Sequence, residues 1–84
     1  MNIEVRYDPS RQLLYVRLRE PRGAIVNTKD FGRDRYVDYD EVGEVMSIEF
    51  LALHQDGLDL DGLPEADRVA EAIESIQSRL VLAR

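Results

Sequence analysis

The residues of this chain that could do chemistry are mainly carboxylates. Asp38, Asp40, Gly43 and Glu49 fall at positions 1, 3, 6 and 12 of a calcium-binding loop, but position 5 is Val42. Valine offers no side-chain oxygen, and the alternating sequence on both sides indicates strands, whereas a calcium loop of this kind needs flanking helices. The motif therefore favours a hairpin turn over a calcium site.

A second acidic segment, residues 56–61, contains Asp56, Asp59 and Asp61. These carboxylates would share a divalent cation only if the loop curled, so a solvated linker is favoured. His54 is the single histidine, and no serine or threonine is evidently placed beside it to act as a nucleophile. The chain has no cysteine, which excludes disulfides and thiolate metal sites. We expect no catalytic residue, no metal site and no cofactor, and an enzyme is disfavoured.

Arginine and tyrosine side chains are the other candidates for chemistry. Arg6, Tyr15, Arg17 and Arg19 alternate with apolar residues, and are therefore expected to project from one polar face together with Glu4. Such side chains can stack on bases and neutralise phosphates. Only one aromatic residue is present on this face, so a solvated sheet surface is favoured over a nucleic-acid site.

The elements that position these residues begin with a hairpin. Apolar residues alternate with polar ones from Ile3 to Tyr7 and again from Leu14 to Leu18, and Asp8-Pro9-Ser10 between them has turn chemistry. If Tyr7 pairs with Leu14, then Val5 faces Val16 and Ile3 faces Leu18. Both apolar sets then share one face of a sheet.

Three further strands are expected, at residues 24–31, 35–40 and 44–51. A loop with Gly43 in the left-handed region would close the last hairpin and pair Asp40 with Glu44, Asp38 with Met46 and Tyr36 with Ile48. In this register Val37, Tyr39 and Val45 lie on the face opposite Tyr36, Met46 and Ile48. That surplus of apolar surface predicts a homodimer formed through the sheet.

A helix is expected to open near Pro64, with Glu65 and Asp67 in its first turn. Ala66, Val69, Ile73, Ile76 and Leu80 then lie on one side at helical spacing. Asp67, Glu71 and Glu74 form an acidic outer stripe, which we interpret either as a solubilising surface or as a docking surface for a basic protein.

These elements predict an α+β fold, an antiparallel β-meander of four to five strands with one C-terminal α-helix packed on one face. We expect a single domain over 1–84, divided into a sheet (1–53), an acidic loop (54–63) and the helix (64–82). The predicted core consists of nine apolar residues: Ile3, Val5, Leu14, Val16, Leu18, Ile48, Val69, Ile73 and Ile76.

Composition narrows the possible classes of protein. The 84 residues carry a net charge of −6, divided between a basic first part (1–35) and an acidic remainder. Overall acidity opposes nucleic-acid binding. No signal region and no apolar run of about 20 residues is present, so we expect a cytoplasmic protein that does not span a membrane.

Several motifs together resemble a known family. Tyr7-Asp8-Pro9, Leu14 to Leu18, Asp38 to Gly43 with Ile48-Glu49, and the ending from Gly57 to Ala66 are similar to a small bacterial family, domain of unknown function 2283. Members often have an aspartate where this chain has Gln12, so any role of that carboxylate is missing. The family has no established activity. Some of its members lie beside toxin-like genes, and this association implies an antitoxin-like role.

The sequence thus leaves three functional hypotheses. The first is a non-enzymatic interaction module that self-associates. The second is an antitoxin-like partner that binds a basic protein through its acidic helix. The third is nucleic-acid binding on the arginine and tyrosine face of the first hairpin.

Overall fold

The computed structural model describes residues 3–20, 27–52 and 58–82, with side chains as far as residue 75. Within these residues five strands and one helix follow in order: β1 (Glu4–Asp8), β2 (Leu13–Arg17), β3 (Asn27–Asp30), β4 (Arg35–Tyr39), β5 (Val45–Phe50) and α1 (Ala66–Leu82). All strand pairs are antiparallel. The predicted α+β fold, a five-stranded antiparallel sheet with a C-terminal helix, is confirmed.

The strands lie side by side in the order β1-β2-β5-β4-β3. β1 and β2 form one hairpin, while β3, β4 and β5 form a three-stranded meander. β5 joins the two units by pairing with β2 on one side and β4 on the other. Of the described strands, β5 is the last in the sequence and the central one in the sheet, and β1 and β3 are the edges.

The first hairpin has the predicted register, with Val5 facing Val16 and Tyr7 facing Leu14. Its turn is closed by Asp8, whose Oδ1 accepts hydrogen bonds from the backbone N–H of Ser10 at 3.0 Å and from the Ser10 hydroxyl at 2.7 Å. The expectation that Ile3 belongs to the buried core is wrong. Ile3 lies before β1 and is 36% exposed, because the edge of the sheet is incompletely covered at this end.

The predicted register of the β4–β5 hairpin is wrong by one residue along most of its length. Asp38 faces Ser47 and Tyr36 faces Glu49, although the Asp40 N–H still donates to the Glu44 carbonyl at 3.0 Å. An irregularity beside Asp38 causes the difference, since Tyr39 faces Val45 and Met46 is an additional residue in β5. A bulge of this kind exchanges the faces of all the residues beyond it.

The bulge brings Val37, Val45 and Ile48 into the same core, so their predicted separation onto opposite faces is wrong. Val37 has no exposed surface and Val45 is 6% exposed, while Tyr39 is half-buried against the core. The surplus apolar face that motivated the sheet-mediated homodimer is therefore occupied within the chain.

The core lies between the sheet and α1. Six of the nine predicted core residues are buried there: Leu14, Val16, Leu18, Ile48, Val69 and Ile73. Val5 packs against this cluster and is partly exposed, whereas Ile76 falls outside the described side chains. The core also contains residues that the sequence pattern did not assign to it, namely Val37, Val45, Phe50, Leu63 and Ala72.

The helix begins two residues later than predicted, at Ala66. Glu65 has a φ of 54°, in the left-handed region, and so precedes the helix rather than lying in its first turn. Asp67 is the acidic residue of that turn, where its charge suits the positive end of the helix dipole. In the described part of the chain, no helix is long and apolar enough to cross a bilayer.

Candidate functional site

The outer side of α1 carries the most distinctive charged surface. Asp67, Glu71 and Glu74 are all exposed, and their spacing places them in one line along the helix. The side of the helix that carries Val69 and Ile73 is buried against the sheet. We call Asp67, Glu71 and Glu74 the acidic stripe. The structure brings the three predicted residues together on one solvent-facing surface.

The beginning of α1 is fixed to the sheet by a group of charged side chains. The Arg19 guanidinium donates two hydrogen bonds to the Glu65 carboxylate, both 3.0 Å long. Arg68 donates to the same carboxylate at 2.9 Å and to the Leu18 carbonyl at 3.1 Å. Arg19 also donates to the carbonyl of Val45. These contacts connect the end of β2 and the start of β5 to the first turn of the helix.

The charges of this group reinforce one another. The hydrogen bond from Arg19 holds the pKa of Glu65 below its usual range, with a further contribution from Arg68. The same hydrogen bond raises the pKa of Arg19, and the Glu44 carboxylate, 3.4 Å from the Arg19 Nε, adds to the effect. Arg19 is therefore part of the attachment of α1, and the prediction that it shares the face of Arg6, Tyr15 and Arg17 is wrong.

The other three residues of the nucleic-acid hypothesis lie on the first hairpin. The Arg6 guanidinium lies 4.7 Å from the centre of the Tyr15 ring, which faces it across the strand pair. Arg17 is close to two carboxylates, Glu4 at 3.7 Å and Glu20 at 3.8 Å. Only Arg6 and Tyr15 thus form a stacked pair, at one side of a shallow depression that also contains acidic groups.

The described part of the predicted acidic loop is attached to the β3–β4 turn. Asp59 accepts from Arg33, and its Oδ1 accepts from the Asp61 N–H at 2.9 Å. The Asp61 backbone and then Arg33 lower the pKa of Asp59, and Asp59 raises that of Arg33. Asp56 and His54 lie outside the described residues. Among the described residues, no group of three or more histidines and carboxylates is arranged to hold a metal ion.

Arg35 is a structurally important residue that the sequence reasoning missed. It is only 6% exposed, and its guanidinium donates to the carbonyls of Phe31, Gly32, Asp59 and Asp61 at 2.5–3.1 Å. It thereby holds the β3–β4 turn against the loop that precedes α1. The alternation of β4 contained the signal, since Arg35 has the same parity as the buried Val37.

Comparison with known proteins identifies a family. The sequence model of the family described as "Protein of unknown function (DUF2283)" matches residues 4–53. This range extends from the first residue of β1 to beyond the end of β5 and so includes the whole sheet. Searches of curated proteins and of solved structures gave no match.

Proposed function

This chain belongs to the DUF2283 family of proteins of unknown function, and we propose that it is a non-enzymatic interaction module that binds a basic partner protein through the acidic stripe of α1. The proposal places the module in the bacterial cytoplasm in an antitoxin-like regulatory role. The observation that carries it is the presence of three exposed carboxylates in line on the helix, with no ion pair among the described side chains.

The acidic stripe differs from other carboxylates of the molecule. Six of them form ion pairs with arginines of the chain: Glu4, Asp8, Glu20, Glu44, Asp59 and Glu65. Such pairs reduce the field that an acidic group presents to an approaching protein. The acidic stripe has no such pair among the described side chains, and like charges at this spacing cost a few tenths of a kcal/mol of helix stability. A basic partner would remove that cost and would be attracted before contact.

The acidic stripe is also presented in a fixed orientation. Val69, Ala72 and Ile73 bury the inner side of α1, and Glu65 joins its beginning to Arg19 and Arg68. A partner that binds an already ordered surface does not have to supply the free energy of ordering it. The stripe is therefore a better docking surface than three carboxylates on a loose tail would be.

The geometry favours this proposal over the other two hypotheses. Val37 and Val45, which were expected to form a dimer surface, are buried in the core. Four residues were expected to bind nucleic acid. Two of them, Arg17 and Arg19, lie close to carboxylates, and Arg6 is the basic residue among them that stacks on an aromatic ring. A local excess of positive charge, which phosphate binding requires, is not formed by these four residues.

The test is retention of a basic protein by the tagged chain in its native host. We compare the wild type with Glu71→Lys/Glu74→Lys and with a control of equal charge change, Glu41→Lys/Asp61→Lys, at two exposed positions away from the helix. The wild type and the control should retain the same basic protein, and the helix variant should lose it. Retention should fall with added salt, because exposed charges are screened.

Two results would contradict the proposal. One is equal retention of the partner by the helix variant and the wild type. The other is loss of the partner from both double variants alike, which would indicate a dependence on total charge rather than on the acidic stripe. Far-ultraviolet circular dichroism of the three proteins establishes that all of them are folded.

A further inference from the structure

The edge strand β1 has apolar side chains that the core does not fully cover. Ile3, Val5 and Tyr7 alternate with polar residues and therefore share the face of the sheet on which α1 packs. Val5 packs against the core, but Ile3 is 36% exposed and Tyr7 is 50% exposed. Because β1 is the outermost strand, its outer backbone groups have no neighbouring strand within the described sheet.

We propose that β1 is the self-association surface of this protein, and that two copies pair antiparallel through it about a two-fold axis at Val5. The two sheets then form one continuous sheet of ten strands, with both helices on the same face. This inference is independent of the acidic stripe and of the partner proposed for it. It moves self-association from the buried Val37 and Val45 to an edge of the sheet.

Charge and shape complementarity select this register. With Val5 opposite its own copy, Glu4 faces Arg6 and Ile3 faces Tyr7, and the symmetry forms each of these pairs twice. Opposite charges and apolar side chains that lie directly across two strands stabilise the pairing. The exposed Ile3 and Tyr7 thus cover each other, and Glu4, which is half-buried and lies 3.7 Å from Arg6 of its own chain, also faces Arg6 of the other copy.

The neighbouring symmetric registers are worse in each case. An axis at Arg6 places two arginines opposite each other and sets Glu4 against Asp8, and like charges directly opposite are destabilising. An axis at Tyr7 places Pro9 opposite Val5, and proline cannot donate to a strand ladder. An axis at Glu4 opposes two glutamates.

The other edge of the sheet does not offer a comparable surface. All four residues of β3 (Asn27–Asp30) are exposed and polar, and Lys29 is of the type that keeps edge strands from pairing. Pairing of β1 with β3 of another copy would also leave a free edge at each end and allow open chains to grow. A closed dimer through β1 avoids this outcome.

The absence of cysteine from the sequence allows a direct test of the register. In the proposed dimer the Val5→Cys thiols are opposite each other, with Cα atoms about 4.5–5.5 Å apart, within the range of a disulfide. The Ile3→Cys thiols are separated by about 14 Å, because each faces Tyr7 of the other copy. Under mild oxidation, V5C should form covalent dimers at least tenfold faster than I3C.

Mixing provides the matched control. I3C and Y7C should each cross-link poorly alone but efficiently when mixed, since position 3 of one copy faces position 7 of the other. Equal cross-linking rates for V5C and I3C would overturn the proposal, as would a mixture no faster than its components. K29C on the β3 edge measures the rate of random collision.

The charge pair gives a second measurement that does not use thiols. Sedimentation of the wild type should show a monomer–dimer equilibrium that shifts with concentration, because a five-residue strand pair buries less surface than a permanent interface does. R6E and E4R should each dissociate at least tenfold more readily, and an equimolar mixture of the two should recover dimerisation. A wild type that stays monomeric at several hundred micromolar, or a mixture that stays monomeric although both variants are folded, would refute the proposed pairing.

Discussion

Single residues of this protein act mainly by satisfying backbone groups outside the regular strands. Arg35 is the clearest case. Its buried guanidinium donates the hydrogen bonds that a neighbouring strand or helix would otherwise provide to the carbonyls of Phe31, Gly32, Asp59 and Asp61. Buried carbonyls without partners are costly, and a charged donor makes stronger hydrogen bonds than a neutral one. One side chain therefore determines the relative positions of two loops.

We expect Arg35→Met to lower the free energy of unfolding by about 2–4 kcal/mol, because methionine retains the apolar stem but removes the side-chain donor from all four carbonyls, of which only that of Gly32 also accepts from the backbone N–H of residue 35. Urea unfolding monitored by circular dichroism measures the change. Arg33→Met is the matched control, since Arg33 is exposed and its one described ion pair is with Asp59. The control should lose much less stability, and equal losses in the two variants would contradict the role assigned to Arg35.

Asp40 has a similar function in the β4–β5 turn. It is 2% exposed, and its Oδ1 accepts from the N–H groups of Val42 and Glu44, each at 3.0 Å. Its Oδ2 is buried and has no hydrogen-bond partner among the described residues. With Gly43 at a φ of 84°, these contacts form the tight turn that the Asp-Tyr-Asp-Glu-Val-Gly sequence predicted.

Asp40→Asn and Asp40→Ala distinguish the hydrogen bonds of this side chain from its charge. Asparagine keeps the oxygen that accepts from Val42 and Glu44, so its effect should be small, whereas alanine should cost about 1–2 kcal/mol of stability. Thermal unfolding of the two variants measures the difference. If asparagine were as destabilising as alanine, the charge of Asp40 near Arg19 would be the important feature.

At the scale of elements, the attachment of α1 depends on a residue that lies just outside the helix. Glu65 has left-handed backbone geometry, which is unfavourable for a residue with a side chain, and it is held there by Arg19 and Arg68. Its interactions therefore offset a local conformational cost. The position of the acidic stripe depends on the same contacts.

This arrangement predicts a specific dependence of stability on pH. The pKa of Glu65 is lowered on folding, so the folded chain binds fewer protons than the unfolded chain near the ordinary glutamate pKa of about 4.3. The stabilisation from Glu65 is therefore complete at neutral pH and is lost as the pH falls through the folded pKa. Glu65→Gln should lower stability by about 1 kcal/mol at pH 7, allowing for solvent screening.

The difference between wild type and Glu65→Gln should decrease as the pH falls below about 4.3, because the Glu65 carboxylate then becomes protonated, first in the unfolded chain and at lower pH in the folded chain. Urea unfolding at pH 7 and at pH 3.5 measures it. Glu41→Gln, an exposed change in the β4–β5 turn, serves as the control and should show no such trend. A Glu65→Gln difference that is the same at both pH values would mean that the carboxylate charge does not stabilise the helix attachment.

At the scale of the whole molecule, periodicity predicted the elements and tertiary contacts determined their details. The first hairpin followed its alternation because nothing interrupts the ladder between Val5–Val16 and Tyr7–Leu14. The second hairpin did not follow its alternation, because a period of two gives no indication that Met46 is an additional residue in β5. One bulge was therefore enough to transfer Val37 and Val45 from a predicted surface to the core.

The candidate surfaces also differ in whether the sequence could predict them. The acidic stripe was predictable because helical spacing alone determines which residues lie in line. The contacts of the arginine side chains were not predictable, since Arg19 binds Glu65, a residue 46 positions away in the sequence. The exposure of Ile3 and Tyr7 likewise depends on where β1 lies in the sheet, and strand order cannot be read from alternation.

The central position of β5 has a consequence for how the chain folds. The β1–β2 hairpin and the β3–β4–β5 meander each form from neighbours in sequence, but Leu14 and Phe50, which join them, lie 36 positions apart. Bringing such distant residues together costs chain entropy before any packing repays it, and this slows folding. During synthesis the β1–β2 hairpin therefore exposes its apolar face and an unpaired strand edge until β5 has left the ribosome, and such surfaces favour aggregation of the nascent chain.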